Sequence, residues 1–159
     1  MRLFAAFLLV VGLYACQSNT ASKEQSTDKT VATTEPAKTT ITENYCYVLS
    51  FGHDPKYQDT TQVNLTIMGD NITGIYNWIP AEKDSARGTL TGTKKGDIIT
   101  VLYDYTIEGS KQKEEMIFKM EANQLLIKRG ELHEVGGVLK LKNPETAEFS
   151  EAVPRITCP

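Results

Sequence analysis

The chain has 159 residues, with 17 Lys and Arg against 20 Asp and Glu and a net charge of −3. That mild acidity, with no basic stretch, excludes nucleic acid as a partner. Three cysteines and two histidines leave little material for a metal centre or for thiol and imidazole chemistry.

The chain opens with the parts of a secretory signal: Arg2 as a positive n-region, the apolar run Leu3 to Leu13, and Ala15 as a small residue before a cut. The run is shorter than the about 20 residues that span a bilayer. Leu13-Tyr14-Ala15-Cys16 resembles the lipobox of bacterial lipoproteins. The resemblance implies that residues 1–15 are removed and that Cys16 is acylated as the mature N-terminus, palmitate being a usual acyl group there. Several acyl chains on one residue would hold the protein on a membrane without crossing it. In the best-studied lipoproteins an aspartate after the cysteine retains the protein in the inner membrane. Gln17 stands there in this chain, which implies the outer membrane. Acidic residues directly after the cysteine direct some Bacteroidota lipoproteins to the cell surface; the first here is Glu24, so the expected orientation is toward the periplasm.

Residues 16–43 form the second expected segment, a lipidated flexible tether. It is built of Ser, Thr, Lys, Glu, Ala and Gln with hardly a large apolar residue, a composition that cannot bury enough surface to offset its ordering entropy. A coil of that length reaches about 30 Å in the root mean square.

Residues 44–159 are the third, long enough for one core and too short for two. With Cys16 assigned to lipid, Cys46 and Cys158 remain near the two ends of this domain, in a compartment that is oxidising if the signal works. Their expected pairing straps the stretch from Phe149 to Cys158 back onto the first strand. In the chain-entropy account a bridge over so long a loop stabilises by about 4–5 kcal/mol.

Between the cysteines the pattern has period two, broken by regular turns. Val63, Leu65 and Ile67 share one face of a strand that Gly69-Asp70-Asn71 turns into Ile72–Ile79, ended by Pro80. Glu82 to Ala86 is a polar connection with room for one helical turn. Gly88–Thr93 and Asp97–Ile107 follow, joined at Lys95-Gly96, a hairpin signal; Ile99, Val101, Tyr103, Tyr105 and Ile107 line one side of the second. Glu108-Gly109-Ser110 turns into Glu115–Met120, where Met116, Phe118 and Met120 alternate. Leu125–Ile127, Glu131–Val135 and Val138–Leu141 complete the series, the last two parted by Gly136-Gly137. The predicted fold is all-β: an antiparallel meander of about eight strands closing as a small barrel or sandwich, the simplest way to remove exposed edges.

In strand count and length the domain resembles lipocalin and avidin-like barrels. The likeness is architectural and implies no ligand cavity, because the lipocalin Gly-x-Trp has no counterpart; the one tryptophan is Trp78, two residues after Tyr76. Gly74, Lys83-Asp84, Gly88-Thr-Leu-Thr-Gly92 and Glu108-Gly109 resemble the pattern of small uncharacterised envelope lipoproteins of Bacteroidota, which implies no activity.

No residue set supplies nucleophile, base and oxyanion donor together, so the expectation is a protein that is no enzyme and holds no cofactor or metal. Glu131 and His133 share a strand face, but two donors do not fill a zinc site. His53-Asp54-Pro55 reads as a turn, and neither Ser50 nor Ser85 sits in a nucleophile elbow. Glu114-Glu115 and Glu82/Asp84 read as solvated faces. The stronger feature is aromatic: Tyr76 and Trp78, and Tyr103 and Tyr105, alternate on two strands taken as neighbours, with Arg87 at their rim. Such stripes fill cores more often than they bind sugars, peptides or lipids. Two functions follow: a non-catalytic barrel that binds a small molecule or glycan or serves a structural role, or a protein-interaction module of the lysozyme-inhibitor or assembly-accessory kind. An open interior favours the first, and a filled core with a protruding acidic loop at Glu82–Asp84 favours the second.

Overall fold

The computed structural model describes residues 41–54 and 57–159. The expected signal segment, Cys16 and most of the expected tether lie outside them. Ten strands follow one another without an α-helix among the described residues: β1 (Thr42–Phe51), β2 (Asp59–Met68), β3 (Asn71–Ile79), β4 (Ala86–Lys95), β5 (Ile98–Ile107), β6 (Ser110–Met120), β7 (Gln124–Arg129), β8 (Leu132–Val135), β9 (Val138–Leu141) and β10 (Glu148–Ile156). The expected helical turn after Pro80 is not formed; residues 80–85 are an irregular connection.

β1 to β7 form an antiparallel meander, β10 returns antiparallel between β7 and β1, and the β5–β6 pairing completes an eight-stranded barrel. Each turn reflects its local sequence. Gly69 and Gly96 take positive φ (62° and 64°) at the first position of two-residue connections, where an ordinary side chain is disfavoured. Glu108 (φ 51°) and Gly109 (φ 72°) both occupy the left-handed region in the β5–β6 turn, as a tight hairpin with right-twisted strands requires.

The wall has eight strands, as the sequence predicts, but not the same eight. β8 and β9 form a hairpin outside the wall, joined to it at the parallel pairing of Glu114 with Leu139 and by an ion pair from Lys140 to Glu115 (3.1 Å). All four residues of β8 are exposed, because no wall strand covers them. The eighth wall strand is β10, the stretch expected as a strap.

Inward positions along the wall are apolar and outward ones polar. Val63, Leu65 and Ile67 of β2, Ile99 and Val101 of β5, and Met116 and Phe118 of β6 are buried, while Thr89, Thr91, Thr100 and Asp104 face out. This is the reverse of the apolar outer band of a membrane-spanning barrel. The barrel is packed toward the end that carries the β2–β3 and β4–β5 turns, where Leu65, Ile72, Leu90, Phe118, Leu125 and Val153 are fully buried. At that end Cys46 and Cys158 form a disulfide with Cα atoms 5.2 Å apart, linking positions separated by 112 in sequence. It lies beside the shortest seam of the barrel, since β1 and β10 share only the pairs Cys46 with Ile156 and Tyr47 with Arg155.

Candidate functional site

The opposite end of the barrel is hollow. A cavity of about 860 Å³ opens between the ends of β1, β3, β5 and β7 and the starts of β2, β4 and β6, with β10 as its eighth side. Its size falls within the roughly 300–1,000 Å³ of small-molecule sites. The lipocalin resemblance carried no cavity over to this chain, and the open interior is a finding of the structure.

Aromatic side chains form much of the lining: Tyr76 and Trp78 from β3, Tyr103 and Tyr105 from β5. The two pairs are not on neighbouring strands, as expected from sequence, because β4 runs between them. They meet nonetheless. Tyr76 lies opposite Gly88, which lies opposite Tyr105, and the missing side chain at Gly88 leaves room for rings to reach across. Tyr76 and Tyr103 pack edge to face with centroids 5.0 Å apart, and Tyr103 stacks on Tyr105 at 4.3 Å. Tyr76, Tyr103 and Tyr105 are therefore both core and lining. Trp78 is half-buried nearer the mouth, beside the exposed Phe51 and Leu49. Arg87, expected at the rim, is exposed on the outer side of β4 and is not part of the lining.

The arginine inside the cavity is Arg129, at the end of β7. Its Nε and Nη2 donate to one oxygen of Glu151 at 2.7 and 2.6 Å, and its Nη2 donates to the Tyr76 hydroxyl at 2.9 Å. The Thr61 hydroxyl donates to the other Glu151 oxygen at 3.5 Å. Burial alone would lower the pKa of Arg129, but Tyr76 and Glu151 outweigh it and hold the guanidinium charged above its ordinary range. A β-bulge between Phe149 and Glu151 turns Phe149 outward, while Glu151 shares the inward face of buried Val153. Phe149 pairs with outward Lys128, whose ammonium sits 4.9 Å from the Phe149 ring, whereas Glu151 pairs with buried Ile127. The inserted residue switches the face that the strand presents.

The reading of Glu114-Glu115 as a solvated pair also calls for correction. Glu115 faces out to Lys140, but Glu114 lies two positions from buried Met116 and lines the cavity. Burial raises its pKa above the ordinary carboxylate value, with partial offset from Arg129. Glu114 has no hydrogen-bond or ion-pair partner among the described residues. Tyr105 donates to Gln112 at 2.8 Å, and Asp59 accepts from the Ala81 amide at 2.8 Å. The Tyr103 hydroxyl, on a side chain 2% exposed, is buried without a partner; desolvation is the main cause of its raised pKa. Tyr47 carries the other unpartnered buried hydroxyl and is pushed up to about 12 by burial, but it lies outside the cavity lining.

His53 and His133 are exposed at separate places, on the β1–β2 connection and on β8, and Glu131 is held by Lys142 at 3.0 Å. Among the described residues no three His, Cys, Asp or Glu side chains converge as a metal site. Comparison with protein-family models, curated proteins and solved structures finds no match to this chain.

Proposed function

We propose that this protein is a membrane-anchored envelope lipoprotein whose barrel binds a small amphipathic ligand and carries out no catalysis. The observation that carries this reading is the hollow half of the barrel, where apolar and aromatic walls are joined by the charged groups of Asp59, Glu114, Arg129 and Glu151; ligand pockets combine apolar walls with placed polar groups. The anchor rests on Leu13-Tyr14-Ala15-Cys16. β1 starts beside the β2–β3 turn, at the packed end of the barrel and away from the mouth. The protein-interaction reading draws on the exposed β8 strand and on exposed Glu82–Asp84, but it gives the cavity no role.

The test uses the neutral apolar fluorophore N-phenyl-1-naphthylamine. Saturable binding with energy transfer from Trp78, lost in Ala86→Phe, supports the reading; Ala86 lines the cavity opposite Trp78. Absence of saturable binding overturns it.

A further inference from the structure

Resting on the ligand-binding reading, the arrangement of the cavity narrows the ligand class. Three carboxylates line it, those of Asp59, Glu114 and Glu151, against one cation, Arg129. Arg129 is engaged by Glu151, and Asp59 is capped by the Ala81 amide. The Glu114 carboxylate has a charge interaction with Arg129 but no hydrogen bond or ion pair among the described residues, and the hydroxyl of neighbouring Tyr103 is buried without a partner. These two residues are direct cross-strand partners on β6 and β5, and both line the cavity. Side chains so paired start from Cβ atoms about 4.5–5.5 Å apart, which sets Glu114 next to Tyr103 on the cavity wall.

We propose that the cavity takes a protonated amine carrying an apolar tail, its ammonium held by Glu114 next to the tyrosine cluster. An ammonium has several N–H donors and a positive charge. One N–H satisfies the Glu114 carboxylate in a charge-assisted bond. The stacked tyrosines add favourable ring electrostatics for a cation. The tail then lies along Ile107, Trp78, Leu49 and Phe51 toward the mouth. An anionic headgroup would be repelled by Glu114 and would have to displace Glu151 from Arg129.

The full domain, loaded with N-phenyl-1-naphthylamine, is titrated at pH 7 with octylamine, 1-octanol and octanoate, which share a tail and differ in head charge. Octylamine should displace the probe at least tenfold more tightly than octanol, and octanoate more weakly than either. Glu114→Gln should bring octylamine close to octanol. Octanoate binding as tightly as octylamine overturns the amine assignment, as does a tenfold amine preference that survives Glu114→Gln; in both cases probe binding still stands and the cavity reading with it. If the probe itself fails to bind, both readings fall.

Discussion

Arg129 and Glu151 join the last residue of β7 to β10 through two contacts to a single carboxylate oxygen, at 2.7 and 2.6 Å. The pair sets the polar edge of the cavity, and Tyr76 depends on it for its hydroxyl's hydrogen bond. Removing one partner of a charge-assisted bond leaves the other desolvated and unpaired. Arg129→Met is therefore expected to lower the unfolding free energy by about 1–3 kcal/mol. The double variant Arg129→Met, Glu151→Met should recover part of that loss, because both charges then leave together. Urea unfolding reads both; equal stability of the single variant and the parent would contradict the argument.

The Cys46–Cys158 bond lies beside the shortest seam in the wall, where β1 and β10 share two residue pairs. Replacing both cysteines by serine should cost about 2–5 kcal/mol and lower the melting temperature. Strand content in circular dichroism should persist, since the other seven seams are untouched. Peptide mapping without reductant should recover the linked peptides, and free thiols at both positions in secreted material would count against the pairing.

Most of the wall was legible from period two and glycine turns, because each strand has one face in the core and one in water. Val63-Leu65-Ile67, Ile99 to Ile107 and Met116-Phe118-Met120 appear as the sequence pattern predicts. The site was less legible for two physical reasons. Glu151 shares parity with buried Val153, but the bulge before it puts Phe149 outside and so hides the alternation along β10. Pairing across an intervening strand depends on register, so the meeting of Tyr76 with Tyr103 over β4 needed the structure. Glu114 was within reach: it shares parity with Met116 and Phe118, but as half of a Glu-Glu dipeptide it resembled a solvated turn. β8 and β9 show the opposite failure, an ordinary hairpin signal with nothing local to say that it leaves the wall.

The anchor has its own test. Cys16→Ser should leave the barrel folded and either release the protein from the membrane fraction or trap it as unprocessed precursor. Mature mutant protein that still fractionates with membranes would overturn the lipoprotein reading.

Gly88 yields a prediction of unusual sign. Glycine within a strand normally costs about 0.5–1 kcal/mol relative to alanine, so Gly88→Ala should stabilise on propensity alone. Here an added Cβ would lie 2.6 Å from the Tyr105 Cα and Cβ, in the space across which Tyr76 and the β5 tyrosines approach. The substitution should instead destabilise by about 1–3 kcal/mol, as overpacking does, and should reduce the tyrosine signal in near-ultraviolet circular dichroism. A gain in stability would mean that β4 and β5 can separate without disturbing the aromatic cluster.

Glu114 links the cavity to stability. Burial raises its folded-state pKa above the unfolded value, so the native state binds its proton more tightly than the unfolded chain. Stability from this group is then present at low pH and is lost as pH rises from the unfolded pKa through the folded one. At neutral pH the ionised carboxylate is a net cost of folding, as expected of a group kept for binding rather than for stability. Glu114→Gln removes that cost while preserving shape. It should melt above the parent at pH 7, and the difference should shrink as pH falls toward the ordinary carboxylate range. Melting curves of the two proteins measured side by side across that range check the sign. A variant that is less stable than the parent at pH 7 would show that Glu114 has a stabilising partner, and would remove the basis for an unmatched charge in the cavity.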